Sequence, residues 1–96
     1  MKIKLIDFSG EFCGRRTTPG LSQLRDLIRS RVKQSQPLII DTVGVKTITP
    51  SYIDELLPPL MIELGKENVL NNVSFDPPLQ GFALKQIERG YKNRIQ

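Results

Sequence analysis

The chain has 96 residues, with 14 Lys and Arg against 10 Asp and Glu, no histidine and a single cysteine, Cys13. That length and a hydrophobic fraction of 39% suit one domain, 1–96, with a modest core. One cysteine excludes an internal disulfide, a zinc site would need carboxylates alone, and neither a signal peptide nor a membrane-length apolar run occurs, so a cytoplasmic protein without cofactor is expected.

Ile3 and Leu5, with Asp7, alternate with Lys4, Ile6 and Phe8, which predicts a strand over 2–8. Ser9-Gly10 is a turn signal, and Glu11-Phe12-Cys13 is expected to return as a short hairpin partner. A loop, Gly14-Arg15-Arg16-Thr17-Thr18-Pro19-Gly20, then leads into Leu21, Leu24, Leu27, Ile28 and Val32 at helical spacing. Arg25, Arg29 and Lys33 fall on other faces, so an amphipathic helix is predicted over 20–34. Gln36-Pro37 closes the gap, because the residue before a proline disfavours helix.

Leu38-Ile39-Ile40 with Val43 reads as a central strand, apolar on both faces and ended by Gly44. A second helix begins at Pro50 or Ser51, since a proline in the first helical position forfeits no hydrogen bond. Thr49 and Ser51 are both eligible as its N-cap. Pro58-Pro59 interrupts it, because an interior proline costs on the order of 3 kcal/mol. The remainder runs to about Leu64, with Gly65 as its stop. Val69 to Phe75 is expected to supply another strand, and Asp76-Pro77-Pro78 a rigid turn. Leu79, Phe82, Ala83, Ile87, Tyr91 and Ile95 form the apolar stripe of a last helix. The predicted fold class is α/β: a mixed sheet of about four strands with three helices, the second interrupted at Pro58-Pro59.

Ser51 is the leading candidate site. A hydroxyl at a helix start serves as a cap, or as a phosphorylation site where the helix dipole and free N–H groups tolerate the added charge. Asp54 three residues on gives the outline of a capping box. With Tyr52, Asp54 and Glu55, Ser51 forms the candidate partner-binding surface. Arg15 and Arg16, in a Gly/Thr-rich loop before a helix, are candidates for contact with phosphate or an acidic partner. No nucleotide-binding fingerprint accompanies them. Cys13 lacks a histidine to activate it and reads as a small buried hydrophobe. Asp41, at a strand end, is expected to accept backbone hydrogen bonds in the turn.

Charge is blocked along the chain: eight basic and three acidic residues over 1–36, two and six over 37–78, four and one over 79–96. The basic first and last helices, with Lys85, Arg89, Lys92 and Arg94 on the latter, support an alternative role as a nucleic-acid-binding accessory protein. The six aromatics do not alternate with the basic residues as a stacking platform for bases requires.

Leu38-Ile39-Ile40-Asp41 through Gly44-Val45, then Ile48-Thr49-Pro50-Ser51, resembles the strand–turn–helix core of STAS domains, the family of anti-sigma-factor antagonists. Ser51-Tyr52-Ile53-Asp54-Glu55-Leu56 is similar to the Ser-Phe-Ala-Asp-Glu-Leu type motif of the STAS-like DUF4325 family. Gly14-Arg15-Arg16 and the following helix resemble the first half of that family, with Arg15 where its pattern has an arginine after glycine. The resemblance implies a small STAS-like sheet and a non-enzymatic regulatory module of bacterial type that works through protein–protein interaction. It further implies a phosphorylation switch at Ser51 and, as partner, a histidine-kinase-type ATPase. Thr49-Pro50-Ser51-Tyr52 stands where the antagonists carry Asp-Ser-Ser-Gly.

Overall fold

The computed structural model describes residues 1–14 and 19–95. In chain order its elements are β1 (Lys2–Lys4), α1 (Leu5–Ser9), β2 (Phe12–Cys13), α2 (Pro19–Lys33), β3 (Leu38–Asp41) and β4 (Thr47–Ile48). They continue with α3 (Pro50–Leu56), α4 (Pro58–Leu64), α5 (Lys66–Asn72), β5 (Val73–Asp76) and α6 (Gly81–Ile95). The strands make two sheets, β1-β3-β5 and β2-β4, and every pairing is parallel. The single mixed sheet of about four strands with three helices is therefore corrected to sheets of three and two strands with six helices among the described residues.

Two elements changed type for the same physical reason. A strand over 2–8 would set Asp7 beside Ile3 and Leu5 on the inner face. The chain turns helical after Lys4 instead, which buries Leu5, half-buries Phe8 and leaves Asp7 in solvent. A strand from Val69 would likewise have put Asn71 on the buried face with Val69 and Val73. In α5 only Val69 turns inward, Asn71 is exposed, and the Asn68 and Asn72 amides donate to the carbonyls four residues back at 2.8 Å. Glu11-Phe12-Cys13 does not return as a hairpin on β1. Its residues Phe12 and Cys13 pair in parallel with Thr47 and Ile48.

The three-stranded sheet is covered on one side. Leu38 and Ile40 are buried while Ile39 is 37% exposed, so β3 is apolar on both faces, as its composition suggests, but buried on only one. Lys2 and Lys4 of β1 and Ser74 and Asp76 of β5 are exposed on the flanking strands. The helices cover the inner face: α2 contacts α1, α3, α4 and α5, and α6 lies against α3 and α4. Leu21, Leu24, Ile28 and Val32 form the buried stripe of α2, each full burial of such a side chain contributing about 1.5–3 kcal/mol. Gly20 lets α2 sit against α1, because a Cβ there would overlap the Phe8 carbonyl.

The second predicted helix breaks where the prolines fall. Leu57 separates α3 from α4, and Pro58 opens α4 in the first-turn position that tolerates it. Helix α6 buries Ala83, Ile87 and Gly90, whereas Phe82 and Ile95 are 48% and 57% exposed and do not belong to its inner stripe.

Candidate functional site

The start of α3 is fixed by β2. The Thr49 N–H donates to the Cys13 carbonyl at 2.9 Å, and the Thr49 hydroxyl donates to the same carbonyl at 3.4 Å. Thr49 is extended, with φ −80° and ψ 157°, and its Oγ1 accepts the Tyr52 N–H at 3.3 Å. Thr49 is thus the N-cap, with Pro50 in the first helical position. Ser51 lies inside the helix, exposed, and its hydroxyl makes no hydrogen bond among the described residues. It is not a cap, and it forms no capping box with Asp54.

Tyr52 points the other way. It is fully buried, and its hydroxyl shares a hydrogen bond with the Ser9 Oγ at the end of α1. Burial pushes the phenol up to about 12, partly opposed by that hydrogen bond. Tyr52 therefore joins α3 to α1 from within the core and presents no surface to a partner.

Asp54 and Glu55 close an ion network between three helices. Arg94 of α6 donates to both oxygens of Asp54, at 3.0 and 3.3 Å, and its guanidinium lies 3.8 Å from Glu55. Arg25 of α2 reaches the Glu55 carboxylate at 3.5 Å and donates to the Glu55 backbone carbonyl at 3.1 Å. That carbonyl needs a donor from elsewhere, because the residue four positions on is Pro59, which carries no N–H. All four side chains are about a quarter exposed, at 25–28%. Gly90 makes the close approach of α6 possible, since a Cβ there would overlap the Asp54 carboxylate and the Pro58 ring.

Ser51, Asp54 and Glu55 thus share the first two turns of α3, with the serine free in solvent and the carboxylates held by arginines from α2 and α6. Arg15 and Arg16 lie outside the described residues. Arg25, Arg94, Gly90 and Ser9 complete the site's surroundings, and the sequence alone does not bring them to it. Gly90 carried the one local signal, because a glycine inside a helix costs about 1 kcal/mol and so points to a close contact.

Cys13 is buried, with its thiol 3.7 Å from the Gly10 carbonyl, and burial pushes its pKa up to about 11. It is a protonated, shielded thiol at neutral pH. Asp41 accepts the Val43 N–H at 2.9 Å and shapes the turn after β3. Among the described residues no three His, Cys, Asp or Glu side chains group as metal ligands, and no helix is long and apolar enough to cross a membrane. A groove of about 380 Å³ lies beyond the C-terminal ends of β3 and β5, walled by Val45, Ile48, Pro77, Leu79 and Phe82. The Thr42 hydroxyl in its wall donates to the Pro77 carbonyl.

Comparison with known protein families, with curated proteins and with solved structures finds no match to this chain.

Proposed function

We propose that the chain is a non-enzymatic regulatory module that binds a protein partner through the exposed start of α3. Ser51 is the control point, and a kinase-type ATPase, the partner implied by the STAS-like resemblance, acts on it. The observation that carries this reading is the free Ser51 hydroxyl. Thr49 already performs the capping that explains most serines at helix starts, so the helix has no structural need for a hydroxyl at position 51. A phosphate there adds about −1.5 to −2 charges on the same face as Asp54 and Glu55. It changes the surface without entering the core, because the side chain lies in solvent.

Asp54 and Glu55 then contribute indirectly. Their ion pairs with Arg25 and Arg94 hold α3 in place, and the outer edges of the carboxylates supply the acidic character of the surface. The buried, protonated Cys13 offers no nucleophile, which supports a binding role over a catalytic one.

The test is recovery of the chain from its native host, with mass spectrometry of the Ser51 peptide and of co-purifying proteins. Phosphate on Ser51 together with a co-purifying kinase-type ATPase is the expected result. Unmodified Ser51 under all growth conditions, with no such ATPase, would overturn the reading.

A further inference from the structure

Two helices gave this chain its basic character in the sequence, and the structure treats them differently. On α2 the arginines are engaged: Arg25 with Glu55, Arg29 with Asp26 and Glu63, and Arg31 with the Pro37 carbonyl. On α6, Arg94 is committed to Asp54. Lys85, Arg89 and Lys92 make no ion pair or hydrogen bond among the described residues, and all three are exposed.

Their spacing places them together. At 100° per residue Lys85, Arg89 and Lys92 fall within a sector of about 60°, opposite the buried side formed by Ala83, Ile87 and Gly90. They span about 10 Å of helix axis. The surface they share with Leu84, Glu88 and Asn93 is shallow and open. Glu88, the one carboxylate on that surface, is paired with Lys66 at 2.8 Å and lies within the field of Lys92, so the net charge of the surface stays positive.

We infer that this face of α6 is a docking surface for the phosphate backbone of a nucleic-acid duplex, bound without regard to sequence. The argument is charge complementarity. Three unpaired cations in one stripe meet a dense row of phosphates, whose condensed counterions are released on contact. A protein partner would be expected to meet an aromatic or deeply apolar anchor, and Leu84 is the one large apolar side chain on this surface. A membrane-surface helix centres its apolar residues and flanks them with cations. Here the cations hold the centre, and the exposed Leu84 and Ile95 lie to one side at opposite ends of the helix. With no aromatic on the stripe to stack unpaired bases, a duplex backbone fits better than a single strand.

The experiment is fluorescence anisotropy of the full chain with a labelled random-sequence DNA duplex of about two helical turns. Three phosphate contacts give a slope of log K against log salt of about −2.7, or about a 40-fold loss between roughly 50 and 200 mM. The combined Lys85→Gln, Arg89→Gln, Lys92→Gln variant is expected to keep its circular dichroism spectrum and lose the salt-dependent binding. No binding at about 50 mM salt would overturn the inference, as would equal binding by that variant. Binding to phosphatidylserine-rich vesicles but not to duplex would overturn it in favour of a membrane surface.

Discussion

Thr49 and Ser51 stand two positions apart at the start of α3, both small hydroxyl residues, and the fold gives them different work. Thr49 is held by the Cys13 carbonyl and caps the helix; Ser51 reaches solvent. Thr49→Ala should cost about 1 kcal/mol in urea unfolding, whereas Ser51→Ala should stay within about 0.5 kcal/mol. Equal losses would mean that the capping role is shared. Cys13 and Tyr52 make a second test. Both are acids that are neutral when protonated, and burial raises their pKa values in the folded chain, from 9.0 to about 11 and from 10.0 to about 12. The folded state therefore holds protons that the unfolded chain releases. Stability is full below pH 9 and falls as pH rises, first through Cys13 and then through Tyr52, by up to about 1.4 kcal/mol per pH unit for each group. Tyr52→Phe should remove the part of the slope that begins near pH 10, measured by urea unfolding at stepped pH. The two hydroxyls could be picked out from the sequence, but not told apart. The choice depends on the pairing of Thr49 with Cys13, 36 residues away.

The break between α3 and α4 shows how a local sequence signal creates a long-range requirement. Pro58-Pro59 ends the helix, which was readable from the sequence alone, and it also leaves the Glu55 carbonyl without its usual donor. Arg25 of α2 fills that role. Arg25→Ala is therefore expected to destabilise the fold by about 1–2 kcal/mol, because it removes a hydrogen bond from a charged donor to a partly buried carbonyl. Arg29→Ala removes more exposed ion pairs with Asp26 and Glu63 and should cost about 0.5 kcal/mol. Urea denaturation of the two variants would compare them directly; equal losses would mean that Arg25 acts through charge alone. Long elements with a clean period, such as α2, were legible because their pattern repeats over several turns. Short segments were not. Over 5–9 and 66–72 the apolar residues fit a strand nearly as well as a helix, and one polar residue on the wrong face, Asp7 or Asn71, decided between them.

Across the whole molecule, the two-residue strands β2 and β4 form a separate small sheet that aims the start of α3 outward, while the three-stranded sheet anchors the core. Strands this short carry almost no pattern of their own, so β4 has no legible signal, and β2 reads as a hairpin partner of β1 although it pairs in parallel with β4. The candidate site was half legible for a similar reason. Its residues on α3 are contiguous and could be named, but Arg25 and Arg94 lie 30 and 40 positions from their partners. The molecule is a small scaffold whose exposed Ser51 sits on a helix anchored by Thr49, Tyr52 and the Asp54–Arg94 pair. The proposed function has this surface bind a partner under the control of Ser51. The most direct measurement is quantitative capture of host proteins on the immobilised full chain, comparing wild type, Ser51→Asp and Ser51→Ala, with unfolding curves to show that all three are folded. The expected result is a partner retained by wild type and Ser51→Ala and changed severalfold in amount by Ser51→Asp. Identical capture by all three folded proteins would contradict it.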